Sequence, residues 1–256
     1  MAHSHSGGLA MLDTLAAHSP LREVSPGLKV VFTVAVLFAA IAAGHWAAGL
    51  FVCLTMVLAM AVLGGLSLRK IAALLRIPLL FLVVGCAVVL VEWRNGGFAV
   101  TKASALAAGT LFLQALGAVS CLFFFSTTTP MPQLIEVLRR WHLPDVVIEL
   151  MYLIYRYLFV LLTVQRQMTI SATARLGYRG LRRSVATAGK VSGNLLAASF
   201  RRSRAYFDAM EARCYDGRLA FLATVPPLKR RHVLAAAGYL IVLLAVIFLS
   251  KEVLPG

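Results

Sequence analysis

Cysteine is scarce in this chain, and no two cysteines lie close together. There are four in 256 residues, Cys53, Cys86, Cys121 and Cys214, and no CxxC pair occurs. A disulfide framework or a zinc site needs paired or closely spaced ligands, so the sequence supports neither. Three of the four lie in apolar segments, where cysteine acts as a small hydrophobic residue.

Motifs for catalysis and for nucleotide binding are also missing. The only Gly-Lys pair, Gly189-Lys190, lacks the upstream glycine of a P-loop and is followed by Val191, which excludes ATP binding by that motif. HExxH, GxSxG and spaced carboxylate pairs do not occur. His3 and His5 form an HxH, but two histidines alone make a poor metal site. We therefore expect no catalytic residues, no metal site and no bound cofactor in this chain.

Acidic residues are few, and the chain is strongly basic. It has 10 Asp and Glu against 25 Lys and Arg, a formal net charge of +15. Such a charge can indicate nucleic-acid binding, but 60% of the residues are hydrophobic and the mean hydropathy is +0.84, both high for a soluble protein. In membrane proteins, Lys and Arg accumulate on the cytoplasmic side near anionic lipid. We therefore predict an all-α polytopic membrane protein that contacts membrane lipid and no nucleic acid.

Five apolar runs are close to the roughly 20 residues that a transmembrane helix needs, the first being short unless Lys29 snorkels. They cover residues 30–43, 47–66, 77–91, 104–125 and 232–249. The predicted organisation is a cytoplasmic amino-terminal segment (1–28), a four-helix transmembrane part (29–126), a cytoplasmic or interfacial platform of long amphipathic helices (127–231), and a last transmembrane helix with the carboxyl tail (232–256). Because charged residues and two prolines precede the first run, we expect no cleavable signal peptide.

Basic residues are concentrated in the platform, which predicts the orientation of the chain. Residues 131–231 hold 17 of the 25 Lys and Arg, and Arg69, Lys70 and Arg76 lie in the predicted loop after the second helix. The turns on the opposite side hold only two. The positive-inside rule therefore places the amino terminus, that loop and the platform in the cytoplasm.

One segment of the platform, residues 146–164, is also long enough to cross the membrane. Glu149 and Arg156 would then lie within it, and a charge near the bilayer centre costs at least about 2.5 to 3.5 kcal/mol. A helix that lies in the interface or packs against other helices is therefore favoured. A sixth crossing stays open as the alternative.

Two long helices are predicted in the platform, and each ends near an Ala-Arg pair. In the first, apolar side chains recur every seven residues, and the pattern ends near Arg175. The second runs from about Val185 to Tyr215, with Arg213 near its end and Gly217 expected to supply a left-handed cap. Unpaired carbonyls at a helix carboxyl end favour a cation. That effect alone is the alternative explanation for both arginines.

Four stretches of the sequence together resemble one known family. They are Ser19-Pro20-Leu21 with Pro26 and Lys29, Thr128-Thr129-Pro130 with Leu134, Leu138 and Leu143-Pro144, Tyr155-Arg156-Tyr157, and residues 209–218. In this order they resemble the transmembrane T component of energy-coupling-factor (ECF) transporters, most closely the cobalt-type subgroup called CbiQ. The resemblance covers almost the whole chain.

The resemblance implies which residues act. The two signature motifs of the family are usually Ala-Arg-Gly, and here they read Ala174-Arg175-Leu176 and Ala212-Arg213-Cys214, so both arginines are kept and the third residue differs. Each motif is implied to dock in a groove of one subunit of an ATP-binding cassette ATPase dimer. The supporting candidates are Arg156, Met210, Tyr215, Asp216 and Gly217.

The resemblance also implies a function, that of a non-catalytic coupling scaffold of an ATP-driven importer in the bacterial cytoplasmic (inner) membrane. ATP and Mg²⁺ would bind to the partner ATPase, whose closure would move the coupling helices and tilt a substrate-binding membrane S component. A small accessory membrane subunit is a further implied partner. The transported species would be cobalt ion, with nickel and then a vitamin as alternatives. Rival functions are the substrate-binding membrane subunit itself, a non-transport membrane adaptor and a membrane enzyme.

Overall fold

Helices dominate the computed structural model of this chain. The structure describes residues 13–94, 97–99, 101–217 and 226–253. The helices are α1 (Pro26–Ala43), α2 (Trp46–Val62), α3 (Leu68–Leu90), α4 (Lys102–Thr128), α5 (Met131–Arg140), α6 (Asp145–Ala174), α7 (Leu181–Glu211) and α8 (Arg230–Val253), with a short 3₁₀ helix at Pro20–Glu23. Residues 13–18 are also helical. The prediction of an all-α polytopic membrane protein is confirmed.

Two short strands lie between α3 and α4. They are β1 (Glu92–Arg94) and β2 (Gly97–Ala99), which pair antiparallel with Trp93 opposite Phe98. With three residues in each strand, this ribbon serves as a turn between two helices and leaves the fold class unchanged.

Within the described residues, five helices are long and apolar enough to cross a membrane. They are Pro26–Ala43, Leu68–Leu90, Ser104–Thr128, Asp145–Ala174 and Arg230–Ser250. The second predicted crossing, residues 47–66, corresponds to α2, whose 17 residues rise only about 26 Å. Helix α6 contains residues 146–164, for which a sixth crossing is the alternative, and it meets the same requirement of length and composition.

The third membrane helix begins earlier than the sequence indicates. The prediction of a loop containing Arg69, Lys70 and Arg76 is wrong, because α3 begins at Leu68 and these side chains lie within the helix. Pro78 is therefore inside the helix and does not begin it. An internal proline removes one backbone hydrogen bond and can kink a helix without ending it.

The chain forms two compact units, each with its own packing. Within the described residues, the first unit covers residues 13–134 and 226–253, and the second covers residues 135–217. The boundary between the two falls inside α5, after Leu134.

In the first unit, small residues allow α2 and α4 to approach closely. A Cβ atom on Gly117 would lie 2.6 Å from the carbonyl oxygen of Gly49, so the two backbones touch at this crossing. Small residues at close helix crossings are a main source of packing in membranes. The buried core around the crossing includes Val52, Met56 and Leu243.

Two polar side chains tie the membrane helices of this unit together. Gln114 of α4 donates hydrogen bonds to the carbonyl oxygens of Ala40 (3.1 Å) and Ile41 (2.7 Å) of α1. The ammonium of Lys29, whose residue is only 5% exposed, donates to the carbonyl oxygen of Thr128 at 2.7 Å. Thr128 is the last residue of α4, where the helix dipole favours a cation.

In the second unit, α6 and α7 form an antiparallel helical hairpin. The rings of Tyr157 and Tyr206 stack between the two helices with their centroids 4.3 Å apart. Ile135, Ile148 and Tyr152 form a small buried cluster that packs the second half of α5 against the start of α6. The hairpin positions the two Ala-Arg motifs.

Candidate functional site

The first Ala-Arg motif forms a defined turn at the end of α6. After Arg175, the amide of Leu176 donates to the carbonyl oxygen of Thr173 (2.9 Å), and the amide of Gly177 donates to that of Ala172 (2.9 Å). This pair of hydrogen bonds is the Schellman motif, which satisfies the last carbonyls of a helix.

The second motif repeats the same turn at the end of α7. The amide of Cys214 donates to the carbonyl oxygen of Glu211 (3.0 Å), and the amide of Tyr215 donates to that of Met210 (3.1 Å). The Met210 carbonyl also accepts from the amide of Arg213 (3.0 Å). The two arginines therefore occupy equivalent positions in two turns of the same geometry.

The residue after each arginine has a left-handed backbone conformation. The angle φ is 55° at Leu176 and 59° at Cys214. This region favours glycine and costs other residues roughly 1–2 kcal/mol. The prediction that Gly217 caps the helix is wrong, because the turn closes at Cys214, although Gly217 also has a positive φ of 88°.

A third turn of this kind ends α5. There His142 has a φ of 61°, and its amide donates to the carbonyl oxygen of Arg139 (3.1 Å). The left-handed turn alone is therefore not particular to the two motifs. What distinguishes the two Ala-Arg motifs is the arginine that precedes the left-handed residue.

Both arginines are exposed and have no ion-pair partner in the part of the chain that the structure describes. The salt bridges there join Glu136 to Arg139 (3.9 Å) and to Arg140 (3.8 Å). Arg175 and Arg213, like the other residues of their motifs, are exposed. Each guanidinium has five N–H donors in a planar fork, which are therefore available to acceptors on a partner.

The two arginine turns lie at opposite ends of the hairpin. The hydroxyl of Tyr215, just beyond Arg213, donates to a carboxylate oxygen of Glu149 at 3.1 Å, near the start of α6. Arg175 follows the last residue of the same helix. From Glu149 to Arg175 the helix rises about 39 Å at about 1.5 Å per residue. The two arginine turns are therefore about 40 Å apart along the hairpin.

Two grooves run between α6 and α7. One, of about 550 Å³, is lined by Arg175 together with Lys190 and Asn194, and no carboxylate is among its lining residues. The other, of about 450 Å³, is largely apolar and is lined by residues that include Phe200 and Met210. The first groove has two cations and suits an anionic group of a partner, whereas the second suits apolar side chains.

The supporting candidates fall into two groups. Met210, Tyr215 and Asp216 are brought together at the second turn. Burial, the hydrogen bond to Glu149 and the negative charges of Glu149 and Asp216 raise the pKa of the Tyr215 hydroxyl. Tyr215 therefore stays protonated and can donate at neutral pH. Arg156 is exposed on α6, about two helical turns beyond Glu149, and the structure does not bring it to either turn.

Sequence reasoning missed Gly177 and Thr187. The Thr187 hydroxyl of α7 donates to the carbonyl oxygen of Gly177 at 2.7 Å. Sequence reasoning also missed the role of Glu149, which accepts a hydrogen bond from Tyr215. The only sequence feature that could have indicated Gly177 is that it directly follows the first Ala-Arg motif. The contact with Thr187 depends on how α7 folds back on α6.

Among the described residues, no group of three or more His, Cys, Asp or Glu side chains is placed to hold a metal ion. His3 and His5 lie outside the described residues. Cys53 and Cys121 are buried, whereas Cys214 is an exposed free thiol.

Comparison with known proteins gives one family match and several relatives. The family model described as CbiQ, cobalt transport protein, matches residues 17–223, which include both Ala-Arg motifs. The cobalt transport protein CbiQ of Rhodobacter capsulatus is 32% identical over 219 residues, which cover 85% of this chain and 89% of that protein. An uncharacterised protein of Methanocaldococcus jannaschii is 27% identical over 252 residues, 94% of each chain. A putative fused cobalt transport protein, CbiMQ, of Methanocorpusculum labreanum is 29% identical over 222 residues, 82% of this chain but 37% of that protein.

Proposed function

This chain belongs to the CbiQ family of cobalt transport proteins, and from that premise we propose that it is the membrane scaffold of an ATP-driven cobalt importer of the ECF type. It is a multi-pass protein of the cell membrane. In the proposed role it carries the motion of a separate ATPase dimer to a substrate-binding membrane subunit.

The observation that carries this proposal is the matched pair of exposed arginine turns on one hairpin. Arg175 and Arg213 lie in turns with the same hydrogen-bond pattern, each directly before a left-handed residue, at opposite ends of the hairpin. A separation of about 40 Å is too large for both to enter one small site. It suits a dimeric partner that receives one arginine in each subunit.

The choice of arginine is consistent with docking. A guanidinium can bond partner carboxylates or carbonyls in a planar fork, and such charge-assisted bonds are among the strong ones. The polar groove beside Arg175 adds the ammonium of Lys190 and the amide of Asn194 to that surface. A partner with acidic side chains fits this end of the hairpin.

The chemistry of ATP is assigned to the partner. We propose that ATP and Mg²⁺ bind to the ATPase dimer and that this chain is a non-catalytic subunit. Closure of the dimer would change the spacing of its two docking grooves, and the hairpin would follow because it is held at both ends.

The relatives support cobalt as the cargo and a second membrane protein as partner. The Rhodobacter capsulatus relative is named a cobalt transport protein. The fused relative contains a region similar to this chain in a polypeptide of more than twice that length, and its name joins the two labels in CbiMQ. We propose that this chain assembles with a separate substrate-binding membrane subunit that corresponds to the additional region.

The test is cobalt uptake by the double variant Arg175→Ala/Arg213→Ala, expressed with its ATPase and substrate-binding partners. We expect uptake to be lost and co-purification of the ATPase to fall, while the variant stays in the membrane at the normal level. The matched control is Arg182→Ala/Arg201→Ala, which removes two exposed arginines of α7 and the same charge. Normal uptake in the first variant would refute the coupling role.

A further inference from the structure

We infer that each arginine turn is held in place by one hydrogen bond across the hairpin, made by the residue two positions beyond the arginine. Thr187 and Tyr215, with Glu149 as acceptor, would then be positioning residues for coupling. This inference rests on the proposed function, since it concerns how the two turns transmit force. We call the two contacts the Gly177 latch and the Tyr215 latch.

The Gly177 latch fixes the turn that carries Arg175. The amide of Gly177 closes the Schellman turn on Ala172, and its carbonyl oxygen accepts the Thr187 hydroxyl of α7 at 2.7 Å. The fit is close, because a Cβ atom on Gly177 would lie 2.9 Å from the Ala172 carbonyl oxygen and 3.0 Å from the Thr187 side chain. One residue thus joins the end of α6 to α7.

The Tyr215 latch fixes the turn that carries Arg213. The amide of Tyr215 closes that turn on Met210, and its hydroxyl donates to the Glu149 carboxylate of α6 at 3.1 Å. A hydrogen bond to a carboxylate is charge-assisted and therefore stronger than a neutral one. This latch joins the turn at the end of α7 to α6, whereas the Gly177 latch joins the turn at the end of α6 to α7.

The latch residues are more buried than the motifs that precede them. The six residues of the two Ala-Arg motifs are exposed, whereas Gly177 and Tyr215 are both partly buried. Each turn therefore has an outer part that a partner can reach and an inner part that contacts the opposite helix.

The latches determine which helices move when a partner displaces an arginine turn. An exposed helix end that is held only by its own backbone bonds frays easily, and a push on its arginine would move the turn alone. With the latch in place, a push on Arg175 is also applied to α7, and a push on Arg213 is also applied to α6. The hairpin then moves as one body, which is what a coupling element requires.

The test compares cobalt uptake with ATP hydrolysis in the complete transporter in proteoliposomes. Tyr215→Phe removes only the hydroxyl of one latch, and Thr187→Val replaces the hydroxyl of the other with a methyl group. We expect cobalt taken up per ATP hydrolysed to fall about three- to tenfold, as for the loss of one hydrogen bond, while the subunits still assemble. Thr187→Ser keeps the hydroxyl donor of one latch, and Glu149→Gln keeps an oxygen acceptor in the other. Each of these single variants should therefore retain most of the coupling of the unmodified protein.

Two matched controls separate a latch from a general effect of the substitution. Tyr206→Phe removes a tyrosine hydroxyl from α7, the helix that precedes Tyr215, and keeps the ring that stacks on Tyr157. Thr169→Val removes a hydroxyl whose bond lies within α6, on the carbonyl oxygen of Gln165. Both variants should couple normally.

A second measurement applies even if a latch variant does not assemble. A spin label on Cys214 of the full chain in nanodiscs, with the half-buried Cys86 replaced by serine, reports the motion of the turn without any partner. We expect Tyr215→Phe to increase the mobility of the label and Tyr206→Phe to leave it unchanged. Equal mobility in the two variants would overturn the inference.

The two proposals fail in different ways. If the arginine variants abolish uptake but Tyr215→Phe and Thr187→Val couple as well as the unmodified protein, the latches are wrong and the coupling role stands. If the arginine variants also transport normally, the coupling role itself is wrong.

Discussion

Leu176 and Cys214 share one backbone conformation, although their side chains have little in common. Each is the left-handed residue of a Schellman turn, with φ of 55° and 59°, and each directly follows an exposed arginine. The positions at which the resemblance implies glycine therefore have the conformation that suits glycine. The backbone geometry at the two arginines is maintained at some cost in stability.

Leu176→Gly should relieve that cost. We expect the free energy of unfolding to rise by about 1 kcal/mol or to stay unchanged, because glycine enters the left-handed region without strain but gains entropy in the unfolded chain. Leu176→Val should lower it, since a β-branched residue is disfavoured there. Thermal unfolding in detergent measures both. His142→Gly, at a turn where Trp141 and not an arginine precedes the left-handed residue, should behave like Leu176→Gly. A clear loss of stability in both glycine variants would contradict the assignment of these turns.

Gly177→Ala should destabilise the hairpin. The new Cβ atom would approach the Ala172 carbonyl oxygen to 2.9 Å and the Thr187 side chain to 3.0 Å, so the turn or α7 must shift. Gly189→Ala is the matched control, since nothing lies within 4 Å of a Cβ atom at that helical position and alanine should add about 0.5–1 kcal/mol. The melting temperatures should therefore move in opposite directions. If both melting temperatures shift in the same direction, the contacts around Gly177 are loose enough to accept a Cβ atom.

Local patterns predicted most of the helices but not their long-range contacts. Apolar runs indicated the membrane helices because a bilayer requires long apolar segments. Pro78 misled the prediction for α3, since proline often begins a helix yet is tolerated inside one. Gly217 was similarly misleading: it predicted a left-handed cap at that position, but the left-handed residue that ends α7 is Cys214. The bond between Thr187 and Gly177 could not be predicted, because it exists only once two helices fold against each other.

The Tyr215 latch should persist through neutral pH and be lost only in strong alkali. The pKa of the Tyr215 hydroxyl is raised in the folded protein by burial, the hydrogen bond to Glu149 and nearby negative charge. The folded value therefore exceeds the ordinary value of about 10, so the stabilisation is complete below that pH and is lost as the pH rises through the folded pKa. A spin label on Cys214 should show constant mobility from about pH 6 to 9 and greater mobility well above about pH 10. In Tyr215→Phe this increase should be absent, and a transition near neutral pH would argue against the assigned donor.

Cobalt binding separates a scaffold from a substrate-binding subunit. If this chain is the scaffold, calorimetric titration of the purified protein in detergent should detect no tight binding of Co²⁺. The complete transporter should bind the ion, because the site is assigned to the partner. His3→Ala/His5→Ala controls for weak binding at the amino terminus. Tight, stoichiometric binding by the isolated chain that survives this change would favour the substrate-binding role.

Lysine should not replace arginine at either turn. Lys and Arg carry the same charge, but an ammonium is a compact donor, whereas a guanidinium can bond two acceptors in one plane. If docking depended on charge alone, Arg175→Lys and Arg213→Lys would transport normally. If it depends on the planar fork, each variant should lose about 1–3 kcal/mol of binding to the ATPase, about a 5- to 150-fold weaker association.

The two ends of the hairpin should differ in this experiment. Arg175 shares its groove with Lys190, so a second cation remains there when the guanidinium is replaced, whereas Arg213 does not line that groove. We therefore expect Arg213→Lys to weaken ATPase binding more than Arg175→Lys, and Arg175→Lys/Lys190→Ala to remove the difference. Arg182→Lys, an exposed position near the start of α7 and outside both motifs, is the matched control and should bind normally. Biolayer interferometry with the purified ATPase and each variant measures these affinities and ranks them directly. An equal loss of affinity in Arg175→Lys and Arg213→Lys would show that Lys190 does not contribute to docking.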